Sequence, residues 1–366
     1  MTQRNLLSSA FALAVFSLSC LILVGLVEAS ENSVVSAEPD ARLAIANAEQ
    51  SIVVCYQAVA DADRAGANTS TLLITLNKAG ELLSEAKLAY EIADFDTALD
   101  YGLLTQAKLT TFVDEAEILK GTAVQLHYVD FMINVVGSII GTTVVICGSF
   151  VVWVVRKRSR RDLNRDSPSH HEFSALFMIG TGILALLVAS PALTRLLVLP
   201  RNVFFTELWI LDSNRSTKDY PFNITLKNDY NVFLVIANRL GYCAYYSVEA
   251  KFRNQTQSAP SRFNLTSSSL PALFSIPAFV ADEGIWEQSL SFSLNYQYNE
   301  TLMQVEFESL TLNDIELNMK EHTTTWNAER NEFFSNLFFE LWIYNGTTSS
   351  FQYHERFVSL RLNITV

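Results

Sequence analysis

The sequence predicts a membrane protein of mixed α and β structure, with the helical and the β-rich parts in separate domains. Three observations lead to this prediction: three apolar windows carry no charged residue, apolar residues recur at helical spacing between Asp40 and Leu126, and a period of two begins after Phe204. The predicted parts are, in chain order, a signal peptide or uncleaved anchor (1–29), an extracellular three-helix bundle (30–128), a transmembrane helix (129–155), a basic cytoplasmic loop (156–172), a second transmembrane helix (173–199) and an extracellular immunoglobulin-like antiparallel β-sandwich (200–366).

The composition of the 366 residues excludes two broad classes of protein. Hydrophobic residues make up 49% of the chain, which rules out an intrinsically disordered protein. The net charge of −12 would repel nucleic acid phosphates. The sequence therefore predicts no nucleic acid partner.

The three uncharged windows are Asn5–Val27, Phe131–Val155 and Phe173–Thr194, and each is long enough to cross a bilayer. They have 23, 25 and 22 residues, and about 20 helical residues span the roughly 30 Å hydrocarbon core. The first window follows Arg4 and is followed by small residues, a pattern typical of a signal peptide cleaved after Ala29. Its length leaves an uncleaved anchor as the alternative.

The loop between the last two windows sets the predicted orientation. It carries six Lys or Arg among residues 156–172, and cytoplasmic loops are enriched in these residues. Residues 30–128 and 200–366 are then outside, in a multi-pass protein of the cell membrane, and the lipid bilayer is a predicted partner. Gly137 and Gly141 have a spacing that lets helices approach closely. They are predicted to pack against the neighbouring span or against a second copy of the chain, which leaves a homo-oligomer open.

Eight Asn-x-Ser/Thr triplets support this orientation. All lie in the two segments predicted to be external, and the last segment holds seven where its composition would give about three by chance. The triplets predict glycosylation at Asn68, Asn214, Asn223, Asn254, Asn264, Asn299, Asn345 and Asn363.

The first external segment has the apolar spacing of three helices. Residues 40–66 form the first, and a second begins at Thr69 or Ser70. A turn at Ala93–Asp96 starts a third helix, whose apolar seam continues to Leu126 and into the membrane window. The pattern predicts an antiparallel bundle.

From Phe204 onward apolar and polar residues alternate, as strands with one buried face require. About eight or nine antiparallel strands are predicted, with a break at Asn313-Asp314, and such a series is typical of an immunoglobulin-like sandwich. The predicted strands include Phe204–Leu211, Phe222–Leu226, Asn231–Ala237, Tyr242–Phe252, Leu290–Tyr298, Met303–Met319, Leu337–Tyr344 and Val358–Val366.

Four strings in the C-terminal half carry a family resemblance. They are Phe205–Ile210, Asp219–Thr225, Val235–Tyr242 and Lys251–Thr256. With them, about residues 173–366 resemble the archaeal membrane proteins called domain of unknown function 1616. The resemblance implies an archaeal envelope protein with membrane helices before an external β-domain, and it brings no established activity or catalytic residue. The added helical segment departs from simpler members.

Residue types that carry catalysis or bind metals are scattered along the sequence. The adjacent pair His170-His171 has no cysteine or third ligand beside it. Asp212–Ser216 begins like a calcium loop, but Thr217 and Asn223 replace the required glycine and glutamate. No nucleotide-binding or nucleophile motif occurs. The sequence therefore predicts no catalytic, cofactor-binding or metal-ligating residue, and a protein that is not an enzyme.

A chain that is mostly external and lacks clustered titratable groups is typical of a surface binding or structural protein. Its predicted partners are other envelope or membrane proteins or glycans. The alternative is a sensor, or an accessory subunit of a membrane transport or glycosylation complex, because the third helix enters the membrane without an evident hinge. Cys55 and Cys243, placed in different predicted domains, are expected to be free thiols.

Overall fold

A computed structural model describes residues 37–161, 169–197 and 203–366. The predicted signal peptide (1–29) and residues 162–168 of the predicted basic loop lie outside the described residues. The chain packs into two units. The first holds Thr69–Ala116, Phe205–Val366 and the described residues before Ala62, and the second holds Ala62–Asn68 and Glu117–Phe204.

The helical N-terminal part is confirmed. Helix α1 covers residues 37–64, α2 spans Ser70–Glu91, α3 spans Phe95–Lys108 and α4 spans Phe112–Phe131. Ala93 adopts a φ of 62° in the turn before α3, and the Asp94 carboxylate caps α3 by accepting from the Thr97 backbone N–H at 3.2 Å. The third helix predicted from the sequence is interrupted between Lys108 and Phe112, so that it forms α3 and α4.

Small residues bring α1, α2 and α3 together. Ala41, Ala89 and Ala98 form a buried cluster with one alanine from each helix. A Cβ atom on Gly102 of α3 would lie 3.0 Å from the Ala44 side chain of α1, so this crossing has no room for a larger residue.

Eleven strands form one curled sheet in the C-terminal part. Along the sheet the order is β1-β3-β6-β7-β9-β10-β11-β2, β4 joins β10 to β5, and β8 pairs with β7. The pairs are antiparallel except β11 with β2. The strands are Phe205–Leu211 (β1), Asn223–Ile224 (β2), Tyr230–Arg239 (β3), Ala244–Asn254 (β4), Phe274–Val280 (β5), Ile285–Asn299 (β6), Gln304–Leu312 (β7), Ile315–Asn318 (β8), Thr323–Asn327 (β9), Glu332–Asn345 (β10) and Ser350–Ile364 (β11).

Apolar residues from many strands build a large core inside the curl. Leu234 of β3, Phe292 of β6, Tyr246 of β4 and Phe339 of β10 belong to this one buried cluster, although β3 and β6 lie far along the sheet from β4 and β10. The predicted break at Asn313-Asp314 is the turn between β7 and β8. Strands β5 and β9 are not among the strands predicted from the sequence.

Helices α1 and α2 pack against the sheet within the first unit, whereas the sequence predicts separate domains for the two parts. The Tyr56 hydroxyl of α1 donates to the Cys243 carbonyl at 3.2 Å. Ser84 of α2 donates to the Ser275 carbonyl of β5 at 3.0 Å. A Cβ atom on Gly80 would lie 3.1 Å from Pro277, so the helix lies close to the strand. Gly80 and Ser84, which make this contact, are small or polar, and in the sequence they resemble a solvated face.

The second unit contains the helices with the longest apolar runs. Helix α4 continues through a π-helical turn, Met132–Val136, into α5 (Gly137–Arg161), and α6 spans Ser169–Leu196. Two helical runs, one within Phe95–Arg158 and one at Ala175–Thr194, are long and apolar enough to cross a membrane. Most of their apolar side chains are exposed in the unit itself.

Candidate binding groove beside helix α2

One stripe of α2 lines a groove on the first unit. Ile74, Lys78, Glu81, Glu85 and Leu88 follow one another at steps of four, three, four and three residues, so they share one face of the helix. This face adjoins the one that carries Gly80 and Ser84 and packs on β5. The packing of α2 on the strand therefore fixes where the stripe lies.

The opposite wall of the groove comes from the sheet. Phe274 and Ile276 of β5, Trp286 and Gln288 of β6, and Ile315 of β8 contribute to it. The groove has a volume of about 460 Å³, which lies within the roughly 300–1,000 Å³ of small-ligand sites. Trp286 is half-buried and packs on the core, so its ring is held in place as one wall.

The charged groups of the groove are acidic apart from one lysine. Lys78 donates to the Glu81 carboxylate at 2.5 Å. Burial, followed by the neighbouring Glu81 carboxylate, raises the pKa of Glu85, whereas Lys78 acts in the opposite direction. An aromatic wall with carboxyl, amide and ammonium groups around it suits a polyhydroxylated ligand, because sugars present apolar C–H faces and many hydroxyl groups.

A second polar arrangement lies inside the sheet, around His354. The imidazole Nε2 lies 2.8 Å from the Thr206 hydroxyl, which lies 2.9 Å from the Tyr246 hydroxyl. Tyr246 donates in turn to the Asn238 side chain at 3.1 Å. Burial, with Arg356 as a second cause, lowers the pKa of His354 to about 4. Thr206 and Tyr246 are buried, so this chain of hydrogen bonds holds strands together and offers no hydroxyl to a substrate.

An irregularity of β11 turns His354 toward this network. Tyr353 pairs with Trp342 and Arg356 pairs with Leu341, so His354 and Glu355 have no residue opposite them. Glu355 has a φ of 56°. Two extra residues of this kind form a bulge, which redirects side chains.

A buried ion pair holds the segment between β4 and β5 on the outer face of the sheet. Lys251 donates to Glu340 at 2.7 Å, and the other carboxylate oxygen of Glu340 accepts the Ser268 backbone N–H at 2.6 Å. Glu249 lies 3.1 Å from the same ammonium group. Both Lys251 and Glu340 are buried. The sequence does not indicate this pair, because its members are 89 positions apart.

The predicted glycosylation residues occupy two kinds of position. Asn68, Asn214, Asn223 and Asn264 are exposed, and Asn254, Asn299, Asn345 and Asn363 are partly buried. Asn254 is engaged on both sides of its amide: its Nδ2 donates to the Thr323 carbonyl at 2.8 Å, and its Oδ1 accepts from the Thr256 and Gln257 backbone N–H groups.

The two glycines predicted for helix packing differ in their surroundings. A Cβ atom on Gly141 of α5 would lie 2.8 Å from Val188 of α6. One on Gly137 would meet only the Met132 carbonyl of its own helical run, at 3.7 Å.

The predicted thiols and histidines are spread over the described structure. Cys55 and Cys243 are buried free cysteines, and burial raises the pKa of Cys55 to about 11. The side chains of His170 and His171 lie outside the described residues. Among the residues that are described, no group of three His, Cys, Asp or Glu side chains is arranged to hold a metal ion.

Comparisons with known proteins give only distant likenesses. No family model and no curated protein matches the sequence. Among solved structures, a β-glucosidase from Listeria innocua in complex with isofagomine is 8% identical with a TM-score of 0.23, over 45% of this chain and 17% of that chain. The CARDB domain of the PF1109 protein from Pyrococcus furiosus, solved with di-metal ions, is 6% identical with a TM-score of 0.23, over 45% and 95% of the two chains. At these scores the likenesses support no conclusion about activity, and the resemblance to domain of unknown function 1616 stays a prediction.

Proposed function

We propose that this chain is a membrane-anchored protein of the cell envelope, whose helix–sheet unit lies outside the cell and binds an envelope glycan or protein. The curled sheet is interpreted as an immunoglobulin-like sandwich. Helices α5 and α6 are interpreted as a hairpin that crosses the membrane twice, with the basic end of α5 inside. In this proposal the chain recognises a partner and does not act as an enzyme.

The observation that carries the proposal is the contact between the two ends of the described chain. Tyr56 of α1 bonds to the Cys243 carbonyl, and Asn77 of α2 bonds to Phe279 of β5. Residues 37–61 and 69–116 thus fold with residues 205–366, and the two long apolar runs lie between them in the sequence. If both runs cross a membrane, the chain returns to the side from which it started. The segments before and after the two runs are then on the same side, as their packing into one unit requires. One crossing alone would place the partners on opposite sides.

The exposed apolar surface of the hairpin helices supports a membrane location. Ile140 and Val144 of α5 and Leu186 and Leu187 of α6 are each more than half exposed. Apolar surface of this extent requires an apolar environment, and about 20 residues of helix match the thickness of a bilayer.

Labelling of engineered cysteines tests the orientation. Ser213→Cys lies in the exposed turn after β1, and Arg158→Cys lies near the end of α5. A membrane-impermeant maleimide should label Ser213→Cys on intact cells and Arg158→Cys only after permeabilisation. The unmutated chain, which keeps its own cysteines, is the control: Cys55 and Cys243 are buried, whereas Cys147 is exposed on α5, so only labelling above that of the unmutated chain counts. The reverse pattern, or equal labelling of both variants on intact cells, contradicts the proposal.

The groove beside α2 is the proposed place of recognition. Trp286→Ala removes its aromatic wall and should reduce the recovery of envelope glycan or protein with the full chain in mild detergent. Trp209→Ala is the matched control. Ile236 pairs with Leu208 on one neighbouring strand and with Trp286 on the other, so Leu208 and Trp286 lie on the same face of the sheet. Trp209 is adjacent to Leu208 and therefore lies on the opposite face. Equal recovery with both variants and the unchanged chain would rule the groove out.

A sensor or accessory subunit is the second candidate, and one observation favours it. Helices α4 and α5 follow each other through the π-helical turn without an intervening loop. Inserting three glycines after Tyr128 should abolish any signal that passes along this helical run. An unaltered cellular response to the insertion would leave only the binding or structural role.

A further inference from the structure

Three arginines surround one buried phenylalanine on the first unit. The guanidinium carbons of Arg253, Arg330 and Arg361 lie 5.4, 5.8 and 6.0 Å from the centre of the Phe334 ring. No two of these carbons are therefore more than about 12 Å apart, close to the Debye length of roughly 8–10 Å at physiological salt. Phe334 is 6% exposed, and its ring is the group that the three cations share.

A buried amide lies between two of these arginines. Asn336 of β10 pairs with Arg253 on β4 and with Arg361 on β11. Residues paired in this way point to the same face of a sheet, so the amide stands between the two guanidinium groups. Asn336 is only 7% exposed, and its side chain has no hydrogen bond to any other described residue. The amide atoms of Asn336 are not fully enclosed, so its N–H groups reach solvent beside the two arginines and are available to an anion.

The positive charge of this cluster is only partly neutralised. Glu332 accepts from Nη2 of Arg361 at 2.6 and 2.7 Å, which leaves Nη1 and Nε of Arg361 unused among the described residues. Arg253 donates to the Gln257 carbonyl, which carries no charge, at 3.0 Å. The Arg330 side chain has no hydrogen-bonding or ionic partner in the described structure. The three arginines and Glu332 together carry a charge of +2, whereas the protein as a whole carries −12.

Neighbouring cations act on one another within the cluster. Burial, with Arg330 as the second cause, lowers the pKa of Arg253. The arginines thus repel one another, although each gains contact with the ring. A bound anion would relieve this repulsion.

We propose that Arg253, Arg330, Arg361 and Asn336 form a binding site for a phosphate or sulfate group. Guanidinium groups bind such oxyanions through two parallel hydrogen bonds, and the Asn336 amide supplies a further N–H donor. The site is built on strands β4 and β10, the turn before β10 and strand β11. It lies on residues other than those of the α2 groove, and it does not depend on the orientation of the chain in the membrane.

Titration of the full chain in mild detergent with inorganic phosphate, at low ionic strength, tests the site. The unchanged protein should bind phosphate, and Arg330→Ala should weaken binding by about tenfold or more, because a charge-assisted hydrogen bond is lost. Arg330 is exposed, so this variant should fold normally. The matched control is Arg262→Ala, which removes an exposed arginine from over a single ring, Phe357.

Asn336→Asp separates a binding role from a structural one. The new carboxylate would pair with the flanking arginines, so phosphate binding should be lost while the melting temperature rises. Competition by glucose 6-phosphate or by a short-chain phosphatidic acid would then distinguish a sugar phosphate from a lipid headgroup. The proposal is overturned if the unchanged chain does not bind phosphate, if Asn336→Asp binds it as well as the unchanged chain, or if Arg262→Ala weakens binding as much as Arg330→Ala.

Discussion

The side-chain amide of Asn77 forms both of its hydrogen bonds with the backbone of Phe279. Its Nδ2 donates to the Phe279 carbonyl and its Oδ1 accepts from the Phe279 N–H, each at 2.9 Å. A neighbouring strand would make the same two bonds. Among the described strands β5 pairs with β4 alone, so Asn77 satisfies backbone groups on the other edge of β5, and α2 covers that edge.

Replacing Asn77 with alanine should destabilise the first unit. Both backbone groups of Phe279 would lose their partner near the covered edge, at a cost of about 1–3 kcal/mol. Thermal unfolding of the detergent-solubilised chain measures the change. Asn47→Ala, on the exposed side of α1, is the control and should leave the melting temperature nearly unchanged. An equal effect of the two substitutions would contradict the role given to Asn77.

Gly80→Val should separate α2 from β5. A Cβ atom at Gly80 already meets Pro277 at 3.1 Å and Phe279 at 3.3 Å, so a branched side chain has no space there. The expected result is a lower melting temperature and greater protease sensitivity of the helical segment. Gly121→Ala is the comparison: a Cβ atom there meets nothing within 4 Å, and alanine favours a helix over glycine by about 0.5–1 kcal/mol. Equal losses in both variants would speak against close packing at Gly80.

Gly141→Leu should disrupt the contact between α5 and α6. The added side chain would overlap Val188, which lies 2.8 Å from the Cβ position. Gly148→Leu on the same helix has open space around it and serves as the control. Combining Gly141→Ala with Val188→Ala should restore the stability that Gly141→Ala alone loses. If adding Val188→Ala does not restore stability, the contact with Val188 is not the cause of the loss in Gly141→Ala.

His354 should make stability depend on pH between about 6.5 and 4. Its pKa is about 4 in the folded protein, below the ordinary value of 6.5, because burial disfavours the charged form. Above pH 6.5 the imidazole is neutral in both states and adds no pH dependence. As the pH falls from 6.5 to 4 the unfolded chain takes up the proton first, so stability decreases over this window.

His354→Gln is the variant that isolates this effect. Its amide nitrogen takes the place of Nε2 beside Thr206 but does not titrate. The fall in melting temperature between pH 6.5 and 4 should be smaller in the variant than in the unchanged chain. Parallel curves for the two proteins would show that other groups cause the dependence.

Occupancy of the glycosylation triplets should follow the hydrogen bonds of their asparagines. Asn264 is exposed in a turn and is expected to be modified in the native membrane. Asn254 is expected to be unmodified, because a glycan on its Nδ2 would disturb the bond to the Thr323 carbonyl. Peptide mass spectrometry of the protein from its own cells distinguishes the two. A glycan on Asn254 with none on Asn264 would contradict the expectation.

The sequence predicted those elements whose signal is local. The predicted break at Asn313-Asp314 is such a case: both residue types tolerate positive φ, and the two residues adopt φ values of 46° and 69°. Strand β5 gave no such signal. It contains Pro277 and is buried on both faces toward its end, so it lacks the alternation by which a half-buried strand is recognised.

The candidate sites depend on distant residues, which explains why the sequence did not reveal them. The groove combines α2 with β5, β6 and β8, and the alternation in β11 is broken where His354 enters its network. Arg253, Arg330 and Arg361 meet only because three separate parts of the chain adjoin Phe334. In the sequence, each arginine alone resembles an ordinary solvent-exposed charged residue.

The sequence separation between Asn77 and Phe279 also has a consequence for folding during synthesis. The two residues are 202 positions apart, so at about 5–20 residues per second α2 leaves the ribosome roughly 10–40 s before the strand that it covers. Both apolar helices emerge within this interval. If the hairpin crosses the membrane as proposed, it can enter the bilayer before the helix–sheet unit is complete. Until then, the polar and small residues of α2 that will face β5 have only water to contact.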